Sequence, residues 1–365
     1  MPCDPLSSGP GLVTTAAVLA ETVDSVAPFD RIALDTEADS LHSYYEKLCL
    51  IQISIPGRDF LVDPLAGVPL GPLFDALAAK ELVIHGADFD LRLLRRAGQQ
   101  TVSRAFDTMI AARLTGRLEF SLSALLLELF GVVLAKSSQK ANWGLRPLPS
   151  KMAEYAVNDT HHLLPLAGIL EAELRALGRW EWLQESCEKV VLLTEITRER
   201  DLDNAWRVAG SSELDRQGAA VLRALWHWRE EEAKKVDRPP FHILRSEELV
   251  EAAARFMRGG PVQFGHLSGG RRKRFHSAAE AALALPESEW PVRPVRLRVR
   301  ATPEEEQRFR TLKVERDRVA AELHLDPALI ASKAALEEVA GNREEGRLLP
   351  WQRKLLRLSG GKLDA

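Results

Sequence analysis

The feature that most constrains this chain is a pair of short apolar runs near its start, Arg31-Ile-Ala-Leu-Asp-Thr-Glu37 and Leu48-Cys-Leu-Ile-Gln-Ile-Ser54. Both read as strands, the second strongly apolar. Pro56-Gly57 then reads as a hairpin turn into a third strand, Arg58 to Val62, and Glu81-Leu-Val-Ile-His85 as a fourth. Helical spacing fills the intervals: Thr15 to Val26, Asp88 to Ala97 ended by Gly98, Met109 to Leu114 entered from Phe106-Asp-Thr, and Leu122 to Phe130 ended by Gly131. A longer helix is expected from Ser150 to about Leu177. Strands with interleaved helices imply an α/β layer structure over the first ~200 residues.

Beyond Arg175 the strand signal fades. Trp180 to Glu199 and Glu213 to Lys235 are helical in spacing, Arg238-Pro-Pro-Phe241 breaks the chain, and Ser246-Glu-Glu-Leu249 reads as a serine-capped helix start. Gly259-Gly-Pro261 and Ser268-Gly-Gly270 punctuate further helical turns. Pro286 to Pro294 precedes a last helical section of Pro303 to Leu323, Pro327 to Gly341 and Leu348 to Leu358. A length of 365 residues suits two or three domains. The expected division is an α/β domain over 1–205, a helical domain over 206–292 and a second helical domain over 293–365.

No apolar run approaches the ~18 residues that would span a bilayer. Met1 to Gly11 lacks the basic region of a secretory signal. Cys3, Cys49 and Cys187 form no metal or disulfide spacing, which points to a reducing cytoplasm. The net charge of −3 announces no nucleic-acid partner. Its distribution says more: Arg255, Arg258, Arg271, Arg272, Lys273 and Arg274 lie in a stretch without a single acid. Such a patch can hold phosphates on an acidic chain.

Acidic pairs two apart are cheap: 52 acids in 365 residues give roughly seven by chance. Asp35 and Glu37 differ because they stand in an otherwise apolar strand, where residues i and i+2 share a face. Two adjacent buried carboxylates are costly unless a cation joins them, and a hard divalent ion suits oxygen ligands. A solvated strand end is the alternative. Asp90 follows a strand in His85-Gly-Ala-Asp-Phe-Asp-Leu91, with Asp88 as its competitor. Tyr155 and Asp159 are four apart on one helical face. A phenol beside a metal-bound carboxylate can hold an attacking water; the alternative is a helix-face tyrosine with a satisfied hydroxyl.

Together these segments resemble the ribonuclease D family. Ile32 to Glu37 with Tyr45 and Leu48 to Ile53 is similar to its first exonuclease motif, His85 to Leu91 to its second, and Gln139-Lys-Ala-Asn-Trp143, Arg146-Pro-Leu148 and Tyr155-x-x-x-Asp159 to its third. The resemblance covers roughly residues 12–200 and implies a ribonuclease H-like fold of the DEDD exonuclease superfamily, tyrosine subclass. It implies two divalent cations, Mg²⁺ or Mn²⁺, on Asp35, Glu37, Asp90 and Asp159, with Tyr155 catalytic. Trp206, Arg207, Leu222, Trp226, Trp228-Arg-Glu230, Ala233 and Asp237-Arg-Pro239 resemble the helical HRDC module, and residues about 299–365 a divergent second copy.

The implied function is 3′→5′ hydrolysis of RNA from a free 3′ end, releasing nucleoside 5′-monophosphates, in tRNA or other structured-RNA processing. Expected RNA contacts are His85, Trp143, Arg146 and the run Arg271 to Arg274. His161 and His162 are expected in surface or packing roles. No membrane and no obligate protein partner is implied. The rival readings are a single-stranded DNA exonuclease and an inactive nucleic-acid-binding fold. One departure stands out: Ala38-Asp-Ser-Leu41 replaces the Phe usual after the first-motif glutamate, and no Arg precedes Tyr44.

Overall fold

The computed structural model describes residues 11–98, 102–134, 138–196, 201, 203–292, 301–343, 348–359 and 362–363. They fall into two compact units, one of residues 1–38, 48–196 and 299–365, the other of 39–47 and 197–298.

The first unit is built on a six-stranded mixed sheet. Its elements run β1 (Gly11–Val13), α1 (Ala16–Val26), β2 (Arg31–Ala38), β3 (Leu48–Ile55), β4 (Arg58–Val62), α2 (Gly71–Ala78), β5 (Glu81–Ile84), α3 (Asp88–Arg96), β6 (Arg104–Asp107), α4 (Thr108–Leu114), α5 (Leu122–Phe130), α6 (Ser150–His161), α7 (Leu163–Ala176) and α8 (Trp180–Glu195). The strand order is β1-β4-β3-β2-β5-β6. β3 is antiparallel to both β2 and β4, and the other pairings are parallel.

Alternation divides the side chains of these strands between two layers. Ile32 and Leu34 of β2, Ile51, Ile53 and Ile55 of β3, and Leu82 and Ile84 of β5 pack in a core with Leu19, Leu73, Phe74 and Leu77 of α1 and α2. Ala33 and Val83 face the opposite layer, with α4, α5, α7 and α8. There too Leu50 and Leu61 meet Met152, Ala156 and Val157 of α6. β3 is therefore buried along its whole length, which explains a run as apolar as Leu-Cys-Leu-Ile. Capping marks the helix starts: Thr15 accepts from Val18 N–H at 3.3 Å and Ser121 from Ala124 N–H at 3.3 Å. Gly131 ends α5 at φ +68°, a left-handed conformation that favours glycine.

The single helix expected over Ser150–Leu177 is two, broken at His162. Pro165 is the physical reason: it has no N–H to give the His161 carbonyl four residues back, and its ring crowds that carbonyl.

The second unit contains α9 (Arg216–Lys235), α10 (Pro240–Ile243), α11 (Ser246–Met257) and α12 (Gly269–Leu283), around Trp206, Trp226, Trp228 and Phe275. The serine cap expected at Ser246 does not form. Arg245 holds the cap position, the Glu248 carboxylate accepts from its N–H at 2.7 Å, and Ser246 Oγ accepts from Arg229 at 3.3 Å. The chain between β2 and β3 belongs to this unit. Asp237 Oδ1 accepts from the N–H groups of Tyr44 and Tyr45 at 3.0 and 3.1 Å, and the Tyr44 hydroxyl donates to Glu230 at 3.0 Å. Asp39 is buried, with Lys47 N–H at 2.8 Å and Ser43 Oγ at 2.6 Å. The departure Ala38-Asp-Ser-Leu41 is thus part of a self-satisfied turn.

The last section comprises α13 (Pro303–Leu323), α14 (Pro327–Ile330), α15 (Lys333–Ala340) and α16 (Pro350–Leu355). It shares a core with α4, α5, α7 and α8 through Leu312, Ile330, Leu336 and Trp351. Trp351 stacks on Trp182 with ring centroids 4.8 Å apart, and Arg179 donates to the carbonyls of Leu114 and Leu323, each at 2.7 Å. These helices therefore buttress the first unit rather than form a body of their own. Among the described residues no helix is long and apolar enough to cross a membrane.

Candidate active site

Asp35 and Glu37 stand on one face of β2, and α6 delivers Asp159 to them. Carboxylate oxygens of the three lie within 4.8 Å of one another. Asp90 joins from the first turn of α3. Its Oδ1 accepts from both the backbone N–H and the hydroxyl of Thr36, at 3.0 and 2.6 Å. Asp88 is placed differently: its side chain is 61% exposed and pairs with Arg92 at 3.0 Å. Of the two competitors, Asp90 is the one turned to β2, and Asp88 the one turned to solvent.

Burial and mutual repulsion shape the charges. Desolvation, with the nearby charges of Asp90, Asp159 and Glu37, raises Asp35 well above the usual carboxylate range. The same causes push Glu37 up to about 9, and desolvation carries Asp159 to about 7 and Asp90 to about 6. Asp35, Glu37 and Asp159 are each raised further by acidic neighbours, whereas Asp90 owes its rise to burial and to Asp107. The Tyr155 hydroxyl, one helical turn before Asp159, donates to it. Burial holds that phenol protonated, its pKa raised beyond the ordinary value.

Two residues that orient this site escaped the sequence reading. Thr36 lies between the two acids, but strand parity turns it to the other face, so nothing in the pattern singles it out. Asp107 is buried at the start of α4, where Oδ1 accepts from Gly86, Met109 and Ile110 N–H at 3.0, 2.9 and 3.2 Å, and Oδ2 from Ala87 at 2.8 Å. It pins the turn that leads into α3 and Asp90. Gly86 takes φ +82° there, and a Cβ on it would meet Met109 Cε at 3.2 Å. An aspartate before a helical run was the available signal for a cap.

The expected RNA contacts divide. His85 is half-buried with Nδ1 2.9 Å from Thr108 Oγ1, and desolvation lowers its pKa. Trp143 is 1% exposed and packs beside Tyr155 at 6.0 Å between ring centroids, leaving no face for a base. Arg146 is engaged bidentately by Asp63, at 2.6 and 2.7 Å, and donates to the carbonyls of Cys49, Trp143 and Leu145. It fastens the segment before α6 to the sheet. Arg274 and Arg271 are held by Glu232, at 2.8 and 3.3 Å, and Arg274 together with Lys235 depresses that carboxyl to about 2. Arg272 and Lys273 remain exposed. His161 is ion-paired with Asp59 at 2.8 Å, and His162 stacks on Phe130 with centroids 5.8 Å apart.

Residues 10–175 match the family described as 3′-5′ exonuclease, and residues 218–258 the HRDC domain. Ribonuclease D of Escherichia coli strain K12 is 30% identical over 361 residues, covering 94% of this chain and 91% of that protein. The chain belongs to the ribonuclease D family. Two solved structures extend the likeness along the whole molecule. Escherichia coli RNase D, described as an exoribonuclease involved in structured RNA processing, superposes with a TM-score of 0.70 at 26% identity, covering 95% of this chain and 96% of that one. A protein from Bifidobacterium adolescentis gives 0.83 at 26% identity, over 97% and 96%. As a ribonuclease D this protein is a 3′→5′ exoribonuclease, a hydrolase with a mixed-sheet nuclease domain followed by a helical HRDC domain, and its family uses divalent metals. Among the described residues, the carboxylates of Asp35, Glu37 and Asp159 form a group that could hold a metal ion.

Proposed function

We propose that this ribonuclease D removes nucleoside 5′-monophosphates one at a time from the 3′ ends of structured RNAs, tRNA precursors among them, with two divalent cations, Mg²⁺ or Mn²⁺. Asp35, Glu37, Asp90 and Asp159 would hold the cations. The observation that carries this reading is the convergence of the Asp35, Glu37 and Asp159 oxygens within 4.8 Å, in a site whose burial keeps protons on carboxyls that would otherwise be ionised. An all-oxygen donor set fits a hard divalent ion.

Bound there, the cations would offset the charge of the acids and the scissile phosphate and would ease deprotonation of the attacking water. Tyr155, hydrogen-bonded to Asp159, would orient that water in line with the leaving 3′ oxygen. Thr36 fixes the Asp90 carboxylate, and Asp107 fixes the turn that presents it. Water oxygen becomes bonded to phosphorus, the bond to the 3′ oxygen of the penultimate nucleotide breaks, and that oxygen takes up a proton. Arg272 and Lys273 on α12 would contact RNA phosphates, which position without reading sequence.

We further infer action in the cytoplasm, and retain 1–205, 206–292 and 293–365 as the module boundaries, the last a divergent HRDC-like segment serving as a buttress. The test is 3′-end-labelled RNA, with matched DNA, incubated with and without Mg²⁺ or Mn²⁺. Metal-dependent release of labelled 5′-monophosphate from RNA is expected. Release from DNA in preference to RNA, or no release from either, would overturn the reading.

A further inference from the structure

Gln52 stands in the middle of β3, paired in register with Asp35 of β2 on one side and Leu61 of β4 on the other. It is 0% exposed, and neither Nε2 nor Oε1 has a hydrogen-bond partner among the described residues. Residues opposite each other across a ladder project from the same face. Gln52 therefore projects with Asp35, while Glu37 faces Leu50 one step along.

That face is roofed by α6. Leu50 and Leu61 pack against Ala156 and Val157, and Ser54, next on the face, lies 2.7 Å from the hydroxyl of Thr160, the residue after Asp159. Ser54 is also engaged by Asp59 at 2.5 Å. Around Gln52 the aliphatic side chains offer no acceptor and Ser54 is engaged, while the buried Trp143 Nε1 of the same cluster is a further donor without a partner, so the carboxylates are the acceptors at hand. Buried polar side chains nearly always find partners. An amide here, in a strand otherwise made of Leu, Ile, Cys and Ser, calls for an acceptor that only the acid cluster offers. The contact is not made in this conformation, but the terminal amide torsion is soft, and an ionised carboxylate draws donors more strongly than a protonated one.

We propose that Gln52 is a positioning residue of the metal site: its Nε2–H donates to the Asp35 carboxylate and fixes the orientation in which Asp35 holds a divalent cation. This rests on the four-carboxylate reading given above. Residues that orient a metal's ligands typically cost about 10- to 100-fold in metal affinity when replaced.

The experiment titrates the full-length protein with Mn²⁺ alone, without RNA, following free Mn²⁺ by electron paramagnetic resonance, and records metal-free thermal unfolding. Gln52→Met keeps the volume and removes the amide, Gln52→Asn keeps the amide and shortens its reach, and Asp35→Asn is the control. Both Gln52 variants should bind Mn²⁺ at least about tenfold more weakly while Gln52→Met unfolds, metal-free, no earlier than the unmodified protein. A merely structural glutamine predicts the reverse pattern. Unchanged Mn²⁺ affinity in either folded variant, with affinity lost in Asp35→Asn, overturns the role of Gln52 alone. Unchanged affinity in all three overturns the metal site itself.

Discussion

Thr36 gives both its backbone N–H and its hydroxyl to a single oxygen of Asp90, at 3.0 and 2.6 Å. That double donation ties the first turn of α3 to the strand bearing Asp35 and Glu37, and leaves the orientation of Asp90 to a residue on the far face of its own strand. Thr36→Val preserves the shape and removes one donor. Its metal affinity and turnover should each fall about 10- to 100-fold, with little loss of fold, as read by Mn²⁺ titration and circular dichroism. An enzyme unchanged in both would show that the backbone N–H suffices.

Asp35→Asn should lower RNA hydrolysis by about a thousandfold or more, the scale of several kcal/mol of lost charge stabilisation. The metal-free variant should melt at a higher temperature than the unmodified chain near neutral pH, because one carboxyl of a mutually repelling set is gone. Single-turnover hydrolysis and a thermal melt read the two effects. A variant that is inactive but also unfolded would leave the first effect to Asp159→Asn.

The metal-free protein should be destabilised by base. Asp90, Asp159 and Glu37 hold protons up to about 6, 7 and 9 when folded, against ordinary values of 3.8 and 4.5. The folded state therefore binds more protons than the unfolded chain above about pH 4. Their contribution to stability is full below that pH and is lost as pH rises through the folded values. Melting temperature, measured in chelator against Asp159→Asn, should fall more steeply for the unmodified chain between about pH 5 and 9. Saturating Mg²⁺ should flatten the difference, since the ion displaces the same protons.

Asp107→Ala removes four backbone acceptor contacts at once. A loss of about 1–2 kcal/mol in unfolding free energy is expected from the cap. Turnover should fall beyond what the loss of folded protein explains, because the turn before Asp90 is released. Urea unfolding and activity per folded molecule separate the two.

Arg272→Ala combined with Lys273→Ala should weaken RNA binding and reduce the slope of log affinity against log salt by about 1 to 2. Arg274→Ala should instead destabilise the helical unit by releasing Glu232, whose side chain is 3% exposed. Equal effects of both on RNA affinity would refute the division of labour within this basic run.

By itself, the sequence marked four of the six strands, missing the short β1 and β6, and offered the acids as candidates. β2 and β3 were legible because apolar runs of that length have one economical home, whereas spacing alone left Asp35 and Glu37 open to being a solvated strand end, and the resemblance of the combined motifs singled them out. Tyr155 and Asp159 were legible because helical spacing puts them one turn apart. Pro165 carried the break after His161, although the longer helix was the expectation. Tertiary structure alone decided which basic and aromatic residues were committed elsewhere: Trp143 to packing, Arg146 to Asp63, and Arg271 and Arg274 to Glu232. It alone decided that the last helices would join the nuclease core, and that Thr36, Asp107 and Gln52 would stand behind the acids. The physical reason is common to all of these. Strand and helix periods are local and fix which way a side chain leaves its own element, whereas its partner comes from another element tens of residues away, and only packing brings the two together.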